Sequence, residues 1–195
     1  MLVNWYSNLV LKRMHSPEVD CCDLDLNLED VKRIAVLFEA TDLNSIKLVK
    51  KFVRMLASSK YEINALGYVN KAHKSLEHLS TLYFDYFSKA QLNWYGKPKG
   101  MVIDNFLDED YDVLIDLSLK SHYPLTYLTL ASSAVYKVGR FRKDICIFDH
   151  EIKMNKFQSL DSLIKEVTHC LIPTEGYDYR YRKNRSCVNN SLQGR

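Results

Sequence analysis

The chain predicts a three-layer α/β domain, Rossmann-like, with a mainly parallel sheet of five or six strands and an amphipathic helix at its amino end. Three observations predict it. The run Val113-Leu114-Ile115-Asp116-Leu117 is continuous in apolar residues apart from one acid, the pattern of a parallel strand covered on both faces. Such runs alternate with segments whose apolar residues recur at helical spacing, as Ile46, Val49, Val53 and Leu56 do. A length of 195 residues, 47% of them hydrophobic, suits one core that covers a sheet from both sides.

Taken in order, Leu2, Trp5, Tyr6, Leu9 and Val10 form a helical apolar stripe over residues 1–14, closed by Lys12 and Arg13. An acidic linker, Pro17 to Asp30, separates it from a first strand at Val31 to Phe38. Thr41-Asp42-Leu43-Asn44 offers capping side chains to the covering helix that follows. Tyr61 to Val69 supplies a second strand, joined to the first by a parallel crossover, and Leu82 to Phe87 a third. Regular structure breaks at Trp94 to Gly100, and Met101 to Leu107 restarts a short helix before the central strand. Pro124 sits early in the next helix, where its missing N–H costs nothing. Two further strands are expected at Val135 to Val138 and Asp144 to Phe148, then an amphipathic helix carrying Leu160, Leu163, Ile164 and Val167. The domains are thus residues 1–30, helix and linker; 31–172, the α/β body; and 173–195, a basic disordered tail.

Charge and cysteine content narrow the function classes. Arg180, Arg182, Lys183, Arg185 and Arg195 carry the positive balance, so the formal +3 of the chain becomes −2 over residues 1–178. A nucleic-acid-binding fold keeps its cations on a structured face. The interleaved aromatics and cations of Tyr177 to Arg185 therefore read as a solvated tail, and nucleic acid is not expected as a partner. Cys21, Cys22, Cys146, Cys170 and Cys187 show no paired spacing, which fits a reducing cytoplasm better than a disulfide framework or a zinc site. Nothing approaches the roughly 18 to 20 apolar residues of a membrane span, and the first residues do not read as an export signal. The amino-terminal helix could meet an anionic membrane surface through Leu2, Trp5, Tyr6 and Leu9, but two cations are few for anchoring, which favours docking on the domain or on a partner.

Chemistry-bearing residues cluster after the central strand. Asp116, Ser118, Ser121 and His122 stand where a ligand would meet strand ends, with His122 a candidate acid or base. The competing reading makes Ser118 or Ser121 a helix cap and Asp116 an acceptor for backbone N–H groups. Asp149, His150 and Glu151, with Asp144 near, hold donors a metal could use but lack helical His spacing, so no metal is expected. Neither GxGxxG nor GxxxxGK[ST] nor GxSxG occurs, and no cofactor is implied.

Lys32 to Phe38, Tyr61 to Asn70 with Gly67-Tyr68-Val69, Tyr95-Gly96-Lys97-Pro98, and Asp112 to Ser118 followed by Ala134 to Gly139 resemble an uncharacterised bacterial family of unknown function over roughly residues 1–170. That resemblance implies no catalytic residue. Tyr111 to Leu117 with Lys137-Val138-Gly139-Arg140-Phe141 also resembles the N-terminal half of lipopolysaccharide heptosyltransferases. It implies the fold and not the transferase activity, because those enzymes bind the nucleotide sugar mainly in a second domain for which this chain has no room. Their glycine-rich first turn is also missing at Glu39 to Asp42.

The leading expectation is a non-enzymatic cytoplasmic domain that binds a protein partner or small ligand at the carboxyl ends of its strands, near Asp116, Ser118, His122, Gly139 and Arg140. The alternative is a glycosyltransferase-like or nucleotide-dependent enzyme, completed by homodimerisation or another chain, with Lys137 or Arg140 meeting phosphate and His122 as base. Membrane association through residues 1–14 is compatible with either.

Overall fold

A computed structural model describes residues 2–14, 30–143, 145–155 and 158–171, with side chains omitted at 2–6 and 8. The expected linker, basic tail and Asp144 fall largely or wholly outside these residues. Six strands, β1 (Arg33–Glu39), β2 (Glu62–Val69), β3 (Phe84–Ser88), β4 (Val113–Asp116), β5 (Tyr136–Arg140) and β6 (His150–Ile152), form one sheet in the order β3-β2-β1-β4-β5-β6. Every neighbouring pair is parallel. With α1 (Leu2–Met14), α2 (Leu43–Ser59), α3 (Met101–Asp108), α4 (Tyr123–Ala131) and α5 (Leu160–Leu171), the architecture is a three-layer Rossmann-like α/β domain.

Strand alternation divides the core in two. Ile34, Val36 and Phe38 of β1 share one cluster with Ile46, Val49 and Val53 of α2 and Leu163 and Val167 of α5. Ala35 and Leu37 belong to the other, with Ile103 and Phe106 of α3 and Leu125 and Leu128 of α4. Burial on both faces is why β1 and β4 read as unbroken apolar runs. Gly67 of β2 leaves the space that Tyr86 and Phe38 fill, since a Cβ there would stand 2.7 Å from the Tyr86 ring.

α1 packs against α4. Its buried Ser7 donates from Oγ to the carbonyl of Tyr95 at 2.5 Å, and Leu11 is also buried. Of the roles expected for this helix, docking on the domain is the one seen. No described helix is long and apolar enough to cross a membrane.

The expected strand at Asp144 to Phe148 is corrected. Residues 145–149 are irregular, and the sixth strand is His150–Ile152, with two polar residues followed by the buried Ile152. Ile147 and Phe148 are buried without being sheet residues. At the opposite edge, β3 turns alternate backbone groups outward. Phe84 exchanges bonds with Thr81, the Tyr86 carbonyl accepts from Lys74 Nζ at 3.0 Å, and the Ser88 N–H donates to Gln91 at 3.1 Å.

Candidate functional site

The strand order reverses between β1 and β4, because β1 leads through α2 to β2 on one side and β4 leads through α4 to β5 on the other. Crevices in open α/β sheets lie at such a point, outside the carboxyl ends. Two acid–base pairs stand there at different depths.

The deeper pair is Asp116 with Arg142. Asp116 lies level with Leu37, two residues below the end of β1, and is fully buried. Its carboxylate accepts from the Ser118 N–H at 2.9 Å, from the Ser118 hydroxyl and from Arg142 Nη2. Arg142, also buried, donates to Thr126 Oγ1 of α4 and at 3.2 Å to Ser118 Oγ. Its guanidinium lies 5.3 Å from the centre of the Phe148 ring. Gly139, opposite Asp116 in β5, makes this arrangement fit: a Cβ there would stand 2.4 Å from the Phe148 ring. The cluster satisfies its own charges, so Ser118 is not presented as a nucleophile.

The shallower pair is Glu39, at the end of β1, with His122, the residue that caps α4. His122 Nε2 is 2.9 Å from Glu39 Oε2, and their side chains are 13% and 26% exposed. The approach is off the N–H axis, so this is a close polar contact and not an aligned hydrogen bond. The Tyr68 ring meets the imidazole edge-on at 5.6 Å. Burial, and then the charge of Glu39, push the Tyr68 phenol up, which keeps it a proton donor. Beside it, Asn70 donates its N–H to Thr41 Oγ1 at 2.9 Å. The mouth of the crevice thus presents a carboxylate and an imidazole, backed by the buried Tyr68 phenol, which donates to Asn70 Oδ1 at 3.4 Å.

The structure brings Asp116, Ser118 and Gly139 together and sets His122 just above them, tied in by the bond from Thr126 Oγ1 to the His122 carbonyl. Lys137 is elsewhere. It lies in the amino half of β5, opposite Leu114, and its ammonium donates to the Ser132 carbonyl at 2.9 Å. Burial holds its pKa below the ordinary lysine value. Arg140 ends β5 on the face opposite Gly139. Neither serine caps α4: His122 holds that position without a side-chain bond, while Ser118 turns to Asp116. Glu39, Tyr68, Thr126 and Arg142 are site residues that local reading missed. For Glu39 a signal existed, since it closes the strand next to β4. Among the described residues no three His, Cys, Asp or Glu side chains converge as a metal site would require.

No curated protein and no solved structure matches the chain. A family model does match, over residues 5–172, and the chain belongs to that family, a family of unknown function (DUF6913).

Proposed function

We propose that this domain is a non-enzymatic binding module that takes a neutral or cationic group, from a small ligand or a partner protein, between Glu39 and His122. The observation that carries the reading is the partly exposed Glu39–His122 contact at the switch point, above a buried cluster whose charges are paired with one another. Electrostatics sets the ligand class. In dinucleotide-binding sheets, phosphate sits at the N-terminus of the helix after the first strand. Here Asp42 takes that place, accepting from the Ser45 N–H at 2.9 Å and from its hydroxyl at 3.1 Å. Those bonds hold the Asp42 carboxyl below its ordinary pKa, so a negative charge stands where a phosphate would bind. Glu39 adds a second.

A thermal-shift screen tests this. Amines, basic peptides and polyols are set against nucleotides, nucleotide sugars and phosphorylated sugars. Stabilisation by the first group, lost in Glu39→Gln and His122→Ala, is the expected result; a ligand at a hundred times its Kd adds about 2.7 kcal/mol. Stabilisation by a nucleotide sugar, with turnover that disappears in His122→Ala, would establish the enzyme reading instead.

A further inference from the structure

The segment between β2 and β3 is built the wrong way round for a surface facing only water. It crosses the sheet without an α-helix, through a single 3₁₀ turn at Leu76–His78. His78 is 8% exposed, whereas Leu76, Leu79 and Leu82 are 83%, 63% and 86% exposed. The inward histidine is held at both nitrogens: Nδ1 accepts from the Ser75 N–H at 3.0 Å, and Nε2 meets the Ala40 carbonyl at 2.7 Å. Leu76 opens the 3₁₀ turn and Leu79 closes it as its extended cap residue, so exposed leucines stand at both ends of the turn. A single exposed leucine is ordinary; three in seven residues, on a loop anchored by a buried polar group, form a presented edge.

The segments next to that edge are rich in cations. α2, which packs on the same side of the sheet, carries Lys47, Lys50, Lys51 and Arg54 and no acidic residue. The crossover adds Lys71 and Lys74 against one carboxylate, Glu77. Lys50 joins the two parts. Its ammonium lies 5.9 Å from the Phe84 ring, and after the Ser75 hydroxyl it contributes to holding the Glu77 carboxyl below its ordinary pKa. Lys47, Lys51 and Arg54 are exposed and have no acidic partner among the described residues. A depression of about 600 Å³ lined by Lys74, Ser75, Leu76, His78, Leu79 and Ser80 opens beside the leucines.

We propose that this face, the α2 cations with Leu76, Leu79 and Leu82, docks on an anionic phospholipid surface. Charge complementarity selects the occupant. Six cations against one acid repel a second copy of the same face. Aliphatic tips offer no stacking platform for bases. Leucines that stand clear of their neighbours leave no wall to seat a partner helix, whereas hydrocarbon accepts them without a pocket. Apolar insertion plus a basic surround is the two-part attachment that membrane-surface proteins need. The depression beside Lys74 and the two serines suits a headgroup.

Flotation of the full chain with vesicles of phosphatidylcholine, alone or mixed with phosphatidylglycerol, tests the assignment. The expected result is binding to the mixed vesicles only, weakened by salt. It should fall about tenfold or more in the triple variant Leu76→Ser, Leu79→Ser, Leu82→Ser, and again in Lys47→Glu, Lys51→Glu, Arg54→Glu. The leucines are exposed, so folding should be retained; Leu79→Trp adds a check, its emission shifting to the blue on mixed vesicles. No binding to mixed vesicles, an unshifted Leu79→Trp emission, or loss confined to Leu2→Ser and Trp5→Ser would overturn the proposal. So would an acidic peptide that binds this face while vesicles do not.

Discussion

Asp116–Arg142 and Glu39–His122 are both acid–base pairs at the carboxyl ends of β4 and β1, yet they do opposite things. The first has side chains 0% and 5% exposed and spends its capacity on Ser118, Thr126 and the Phe148 ring. The second, two residues further along the strand axis, keeps 26% and 13% of its side-chain surface in solvent and lacks an aligned hydrogen bond. Depth makes the difference. A charge removed from water must be fully satisfied or the fold fails, so the deep pair belongs to stability. A charge at the rim can keep unused capacity at little cost and exchange it with a ligand.

Breaking the deep pair should have the largest effect. Arg142→Met leaves Asp116 buried and unpaired, and urea unfolding should register a loss of about 3–5 kcal/mol. Adding Asp116→Leu should return most of it, because the penalty comes from the orphaned charge. Gly139→Ala should cost about 1–3 kcal/mol by pushing Phe148 off the guanidinium, and a second change, Phe148→Leu, should recover part of that; no recovery would place the strain elsewhere. A pH series extends the contrast to a second imidazole, His150. Burial pushes the His150 pKa below its ordinary value, so the unfolded chain takes up the proton first. Its contribution is therefore complete above the unfolded value of about 6.5 and is lost as pH falls toward the lower folded value, at no more than about 1.4 kcal/mol per pH unit. His150→Phe should flatten that limb. Glu151 acts with the other sign: burial raises its pKa, so its contribution is complete below the unfolded carboxyl value and is lost as pH rises toward the higher folded one. The smallest stability effect should come from Glu39→Gln or His122→Ala, about 1 kcal/mol or less, while both remove ligand stabilisation in the thermal-shift screen.

Legibility followed the range of the interaction. β1 and β4 announce themselves because burial on both faces demands unbroken apolar residues, and α2 and α5 because one-sided burial demands helical spacing. β6 did not. Ile145 to Phe148 is apolar because Ile147 and Phe148 fill the interior, Phe148 over Gly139, whereas the true edge strand pairs through its backbone and needs no apolar run. Asp116, Ser118 and His122 were legible as strand-end residues. Arg142 was not, since its partner lies 26 positions earlier and nothing local marks it. Glu39 and His122 meet only because β1 and β4 are neighbours, which becomes visible once the strand order is known.

The bonds along the outer side of β3 bear on how this sheet behaves at high concentration. An exposed parallel edge is a template on which another chain can polymerise. Thr81, Lys74 and Gln91 already hold both outward groups of Phe84, the Tyr86 carbonyl and the Ser88 N–H, so an incoming strand must first displace bonds internal to the chain. Growth from that side is hindered by a backbone turn and two side chains instead of a covering helix, which leaves the crossover above it free to carry leucines outward.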